Sequence, residues 1–284
     1  MSILVDLNQV MIASLMAQLG THRNAEVDEN MIRHMVLNSL RFNRMKFKSE
    51  FGELIICADD RSYWRKDVFP YYKASRRKAR DESELDWGCI FSALNKIRDE
   101  LKEVFPYKVI QIDGCEADDV IGAIIHKEGK YLNSGENFLI LSGDKDYIQL
   151  LKYANVKQYS PILKKWIVHS NPEEYLFEHI IRGDAGDGVP NVLSPDNSFV
   201  MNIRQRPITQ KRLSELREIE KMPDEIKRNY FRNKTLIDLN EIPSLNKEKI
   251  LSSYAAENAN NRSQLLNFFI KNRLKLLIES INDF

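Results

Sequence analysis

"NFLILSGDKDYIQLL", residues 137–151, decides the fold. Phe138 to Leu141 are four apolar residues in a row, the pattern of a strand buried on both faces. Such strands belong to parallel sheets covered by helices. The chain then turns through Ser142 and Gly143 and presents Asp144 and Asp146 before the next apolar run. Two carboxylates at the mouth of a buried strand add little to stability by themselves, so the stretch also raises the question of which cation they face.

Runs of the same kind recur on either side. "SILVD" (2–6), "ELIICAD" (53–59), "YKVIQID" (107–113) and "NVKQYS" (155–160) read as further strands. Helical patterns fall between them, near 8–19, 28–48, 85–104, 116–128 and 145–152. Alternation of this kind predicts an α/β fold, a parallel central sheet wrapped by helices. "SPILKKWIVH" reads as a small hairpin, and from Asn171 onward the pattern is helical with a loop-like gap at 184–209. The expected division is an α/β domain over 1–170 and a smaller helical C-terminal domain over 171–284.

At 284 residues the chain can bury a sizeable core, and 43% apolar with 29% charged residues is ordinary for a globular protein. No run of eighteen apolar residues exists, so no membrane span is expected. The N-terminus lacks a basic leader and Asp6 interrupts its apolar run, which argues against a signal peptide. Three scattered cysteines fit a reducing compartment, and a cytoplasmic monomer is expected. The five histidines form no ligand-spaced cluster with the cysteines, which argues against zinc. With a net charge of +1, affinity for nucleic acid has to come from local patches.

Ligands of open α/β sheets bind outside the carboxyl ends of the strands. Here those ends carry acid throughout: Asp6 after the first strand, Asp59 after the second, Glu116, Asp118 and Asp119 in "IDGCEADDVIGAII" after the third, and Asp144 and Asp146 after the fourth. One acid at a helix start is explained by capping. Four such junctions together repel one another by several kcal/mol unless a cation sits among them. Oxygen ligands point to Mg2+ or Mn2+. More than four carboxylates suggest two ions, roughly 3.5–4 Å apart. A fifth acidic pair, Asp184 and Asp187 in "IIRGDAGDGVP", is either a simple glycine-rich turn or the completion of the second ion's site.

Between the second strand and the next helix lies "RSYWRKDVFPYYKASRRKAR" (61–80), with eight Lys or Arg, one Asp and five aromatics. A charge run is often only a solvated face, but interleaved aromatics beside Arg and Lys make stacking and phosphate-binding surfaces. The segment is long for a βα loop and is expected to form a basic arch over the acidic edge.

These residues together resemble the 5′-nucleases of the flap-endonuclease superfamily. "WRKDVFPYYKASR" fits an aromatic-Arg-x4-Pro-x-Tyr-Lys-x2-Arg pattern of that superfamily. "CEADD", "SGDKD" and "GDAGDGVP" match its Glu-Ala-Asp, Asp-x-Asp and Gly-Asp-x-x-Asp elements in order. "YWRKD" and "NVKQYSPILKKW" are most similar to its T-even phage ribonuclease H branch. The resemblance covers most of the chain, most strongly 1–190.

It implies a PIN/5′-nuclease-like fold and a Mg2+-dependent 5′-to-3′ exonuclease with ribonuclease H and flap endonuclease activity. Such an enzyme removes RNA primers and adjacent DNA during DNA replication. It uses two Mg2+ ions, with Mn2+ able to substitute. Its substrates would be RNA–DNA hybrid, duplex and flap or fork DNA. A single-stranded-DNA-binding protein and a sliding clamp are its implied partners. Carried over by motif, Asp6, Asp59, Glu116, Asp118 or Asp119, Asp144, Asp146, Asp184 and Asp187 would serve the metals. Glu116 and Asp119 share a helix face, whereas Asp118 has the commoner family spacing. Lys73 and Arg76 would touch the scissile phosphate. Tyr63, Trp64, Arg65, Tyr72, Arg77 and Lys78 would bind the strand.

The sequence departs from the family after its Gly-Asp-x-x-Asp turn, where a glycine-rich helix-turn-helix is usual. "NVLSPDNSFVMNIRQRPITQKRLSELRE" has no Gly-x-Gly and two prolines. A degenerate hairpin, or a disordered loop followed by a helix at about 209–219, is expected. Arg204, Arg206, Lys211 and Arg212 are its candidate phosphate ligands. Two rival readings remain, a PIN-like ribonuclease and a branched-DNA-binding protein with a dead nuclease centre. A phosphatase is a third, disfavoured because a small substrate needs no cationic aromatic arch.

Overall fold

The computed structural model describes residues 1–21, 28–83, 85–130, 136–258 and 261–284, and the side chains of all of these except 17–21 and 77–79. Six strands form one sheet: β1 (Ser2–Asp6), β2 (Leu54–Cys57), β3 (Lys108–Ile110), β4 (Phe138–Leu141), β5 (Val156–Ser160) and β6 (Lys165–Ile167). Their order is β3-β2-β1-β4-β5-β6, the first five parallel and β6 antiparallel to β5. The expected hairpin is therefore the β5–β6 pair. The strands cross the sheet in one direction from β1 to β3 and in the other from β4 to β5. The topological switch thus falls between β1 and β4, where a ligand crevice belongs.

Period-two alternation sorts the strand residues onto two faces. Ile3, Val5, Leu54, Ile56, Leu139 and Leu141 join one cluster, and Leu4, Ile55, Cys57, Phe138 and Ile140 the other. The first face is covered by α1 (Leu7–Thr21), α2 (Glu29–Phe51) and, beyond the short helices α3 (Trp64–Val68) and α4 (Ala74–Asp81), by α5 (Trp87–Val104). Asp28 caps α2 by accepting from the Met31 N–H at 2.6 Å, and α2 stops at Gly52. There φ is +81°, and a Cβ would lie 2.7 Å from the Met1 carbonyl oxygen. The second face is covered by α6 (Ala117–Glu128) and by the turn Asp146–Lys152. That turn is a 3₁₀ helix rather than the α-helix its apolar pattern predicts. It spans only seven residues, and bonds such as Ile148 N–H to the Lys145 carbonyl tighten it.

The helices after residue 171 are α7 (Pro172–Arg182), α8 (Gln210–Glu215), α9 (Asp224–Ile237), α10 (Ser244–Ala255), α11 (Leu265–Lys271) and α12 (Lys275–Ile278). They pack back on the sheet. Leu265, Phe269, Leu277 and Phe284 complete the first cluster, and Leu239, Ile242 and Ile250 the second. A third cluster joins Phe69 and Tyr72 to Ile181, Val192, Leu213 and Leu236. The segment 183–209 holds no helix, and it is tied by its own hydrogen bonds. The Asn191 amide donates to the Arg206 carbonyl at 2.8 Å, and the Arg206 N–H to Ser194 Oγ at 3.0 Å. No helix among the described residues is long and apolar enough to cross a membrane.

Candidate active site

Each parallel strand delivers its acid to the same place. Pairing of β1 with β2 and β4 sets Asp6 opposite Cys57 and Val5 opposite Leu141, so Asp6, Asp59 and Asp144 all emerge at one edge. A cavity of about 610 Å³ opens there. Asp6, Asp59, Asp118, Asp144 and Asp146 line it, joined by Asp184, Asp187 and Glu116.

Neutral donors fix these carboxylates. Asp6 accepts from the Gln9 N–H at 3.0 Å and from Ser142 Oγ at 3.1 Å. Asp59 accepts from the Ala117 N–H and from the Asn8 amide, both at 2.8 Å. Tyr147 donates toward Asp118 and lies 3.2 Å from Asp6. Neutral donors orient the acids but leave their charge largely uncompensated. Burial, then the Asp59 and Asp144 charges, push the Asp6 carboxyl up to about 7. Burial and Asp144 push Asp146 to about 8, and burial with Asp6 and Asp144 holds Asp118 well above the carboxylate range. Asp144 is thus the shared neighbour of two groups, Asp6 with Asp118 on one side and Asp146 on the other. Clustered, oriented oxygen donors that repel one another are the donor set of hard divalent cations, so the residues fit a metal centre.

Three of the expected acids are engaged otherwise. Asp119 is fully buried away from the cavity. It closes a capping box on the Glu116 N–H at 2.9 Å and pairs with Arg65 at 2.8 Å. Of the pair left open by the sequence, Asp118 is the one that faces the cavity. Glu116 has Lys73 on Oε1, and Arg65 and Tyr72 on Oε2. Burial raises its pKa, but Lys73 and Arg65 outweigh that and hold it low. Asp187 shares the single Tyr72 hydroxyl with Glu116, at 2.8 and 3.0 Å, and pairs with Arg76.

The basic segment lies against the Asp184–Gly188 turn. Lys73 sits in the left-handed region at φ 55° and donates its N–H to the Asp187 carbonyl at 2.7 Å. A non-glycine residue held there costs on the order of 1–3 kcal/mol and persists only where its surroundings over-determine it. Lys73 and Arg76 both face the cavity, as does Tyr63, whose hydroxyl is pushed up to about 12 by burial and Asp59.

Two residues expected on the strand-binding surface are not there. Arg65 is 2% exposed and bonded to Glu116, Asp119 and the Leu236 carbonyl, and Tyr72 is 3% exposed. Both are buried supports of the acidic cluster. Trp64 donates to Asp119 at 3.1 Å and lines a separate cleft with Arg61, Lys66 and Asn246. The side chains of Arg77 and Lys78 lie outside the described residues. Arg204, Arg206 and Lys211 are exposed, and Arg212 is half-buried against Glu215 at 2.9 Å.

The sequence reading missed Asn8, Tyr147 and His179. Tyr147 adjoins Asp146 and Asn8 lies two residues from Asp6, and that proximity was their only signal. His179, on the last turn of α7, sets its ring 3.1 Å from Asp184 and 3.5 Å from Asp146. Burial opposes its protonation, but Asp184 and Asp146 outweigh that and raise its pKa. Trp87 and Phe91, from the start of α5, form an apolar wall of the cavity.

Residues 2–179 match the family model of the 5′-3′ exonuclease N-terminal resolvase-like domain, and residues 170–284 match that of the T4 RNase H C-terminal region. Ribonuclease H of Enterobacteria phage T4 is 32% identical over 294 residues, covering 99% of this chain and 95% of that protein. The chain belongs to the T4 ribonuclease H-like 5′-3′ exonuclease family. It is a metal-dependent 5′-nuclease-family enzyme. A 5′-3′ exonuclease of Buchnera aphidicola is 32% identical over 154 residues, 52% of this chain and 50% of that one. Among solved structures, the bacteriophage T5 flap endonuclease with DNA and metal ions superposes with a TM-score of 0.63 at 17% identity, over 90% of this chain and 99% of that one. T5 5′-exonuclease with bound zinc gives 0.62 at 17% identity, over 89% and 97%. At that identity the T5 proteins speak for the shared 5′-nuclease fold.

Proposed function

We propose that this 5′-nuclease degrades RNA from the 5′ end of RNA–DNA hybrids, continues into adjoining DNA and cuts flaps, and so removes primers during DNA replication. The observation that supports this reading best is the set of cavity-lining aspartates, among them Asp6, Asp59, Asp118, Asp144, Asp146 and Asp184, in one cavity with Lys73 and Arg76. Asp6, Asp59, Asp118 and Asp144 would hold one divalent ion, and Asp146 and Asp184 a second, with Mg2+ as the working ion and Mn2+ as its substitute. Bound there, divalent ions would supply a lowered water pKa and charge neutralisation at the scissile phosphate.

The chain's own residues do the rest. Tyr147, Asn8 and Ser142 hold the carboxylates in place by neutral hydrogen bonds. Lys73 is largely covered and cationic, because Asp187 and Glu116 overcome the cost of its desolvation. An incoming phosphodiester would take over Lys73 and Arg76 from Glu116 and Asp187, placing two fixed cations where charge develops on the phosphoryl group. Tyr63 and the apolar wall of Trp87 and Phe91 would receive a base. Exposed Arg204, Arg206 and Lys211 would grip duplex phosphates without reading bases.

The test is incubation of the full chain with a 5′-labelled RNA–DNA hybrid and a 5′-flap duplex, in Mg2+ and in chelator. Short labelled products that require the divalent ion support the proposal. Tight binding without cleavage in any divalent ion would leave a branched-DNA-binding protein. Cleavage confined to single-stranded RNA would leave a PIN-like ribonuclease.

A further inference from the structure

His179 has no role in that chemistry, although it touches Asp146 and Asp184, two of the acids that line the cavity. Its side chain is 13% exposed and projects from α7, with the Tyr175 ring edge-on at 5.8 Å. The ring offers Nε2 to Asp184 Oδ2 at 3.1 Å and Nδ1 to Asp146 Oδ1 at 3.5 Å. Nδ1 is buried and has no hydrogen-bond partner. A protonated imidazole can donate to both carboxylates, but the neutral ring that ligates a metal has one N–H and turns a lone pair toward the carboxylate pair, where a cation would sit. Capping does not account for the contact either, since the backbone N–H of Asp187 already fills Asp184 Oδ1 at 2.9 Å. One ligand atom from each of Asp146, His179 and Asp184 can be chosen so that all lie within 4.8 Å of one another. Ligands about 2.0–2.2 Å from a single ion are separated by at most about 4.4 Å, so a small closure brings all three onto one centre.

We propose that His179 is a nitrogen ligand of a divalent cation held with Asp146 and Asp184, and that it tilts this position toward Mn2+ and other imidazole-binding ions over Mg2+. The inference rests on the metal-centre reading of the acidic cluster and adds a donor of different chemistry to one half of it. Imidazole suits Zn2+, Fe2+, Ni2+ and Cu2+ best; Mn2+ shares the oxygen ligands of Mg2+ but, as a first-row transition ion, also takes mixed nitrogen and oxygen sites, whereas Mg2+ keeps to oxygen. The two halves of the cluster therefore differ: Asp6, Asp59, Asp118 and Asp144 offer oxygen alone, and the other half offers oxygen and nitrogen.

The experiment loads the full chain with Mn2+ and records pulsed electron paramagnetic resonance, together with equilibrium Mn2+ and Mg2+ binding. Directly coordinated ¹⁴N modulation is expected in the unmodified chain and is expected to vanish in His179→Gln. That variant should lose Mn2+ affinity at one position by about tenfold or more, with Mg2+ affinity changed less than Mn2+ affinity. Two Mn2+ ions bound without nitrogen coupling, or coupling that survives His179→Gln, would overturn the histidine ligand while leaving the carboxylate centre intact. Failure of the unmodified chain to bind Mn2+ at all would overturn both.

Discussion

Arg65→Ala separates a buried support from a strand-binding residue. Arg65 is 2% exposed and reaches Glu116 at 2.9 Å, Asp119 at 2.8 Å and the Leu236 carbonyl at 2.8 Å. Both carboxylates are themselves buried, at 1% and 0% exposure. Removing the guanidinium leaves them short of counter-charge away from water, which costs about 3–5 kcal/mol. For a chain of this length the unfolding entropy is about 0.6 kcal/mol per kelvin, so Tm should fall by about 5–8 °C. A solvated arginine would change stability by less than about 0.5 kcal/mol. If it gripped a phosphate, its loss would instead flatten the plot of log affinity against log salt by about 0.9. Calorimetry in chelator and a salt titration of duplex binding read the two quantities separately. An unchanged Tm with a flattened slope would refute the buried-support assignment.

Without divalent ions, Asp6 and Asp146 titrate at about 7 and about 8 in the folded chain, against an ordinary 3.8. Between about pH 4 and pH 8 the folded state holds protons that the unfolded chain has released, so Tm should fall as pH rises through that window. Mg2+ should restore it, and a flat profile with no response to Mg2+ would argue against the cluster. Lys73→Ala should lower the single-turnover cleavage rate by about 10²–10³ with a smaller effect on binding; full rescue at saturating substrate would mean that Lys73 only binds. Replacing Arg204, Arg206, Lys211 and Arg212 together should flatten the salt dependence of duplex binding by up to about 3–4 in slope. An unchanged slope would place the duplex elsewhere.

The sheet was readable because its central strands β1, β2 and β4 are buried on both faces, and an apolar run such as Phe138–Leu141 fits little else. The acidic edge was readable because parallel strands all end on one side, so acids at successive junctions in the sequence become neighbours in space. Orientation was not readable. The composition of 61–80 does not say which cations turn inward. Arg65 and Tyr72 do so because the third core cluster, built partly from α7 and α9, closes over them. The i,i+3 relation of Glu116 and Asp119 is real, but it is spent on a capping box. His179 meets Asp146 only because α7 docks on the 3₁₀ turn, a contact between segments over thirty residues apart that no local spacing encodes.

The most direct test of the central claim is Asp146→Asn, which keeps the shape of the side chain and removes its charge from the cluster. In Mg2+, with a 5′-labelled RNA–DNA hybrid at saturation, the variant should bind the hybrid as the unmodified chain does and lose most of its single-turnover cleavage, while its metal-free Tm stays level or rises. Cleavage at the full rate would contradict the assignment of this edge as the metal-dependent catalytic centre.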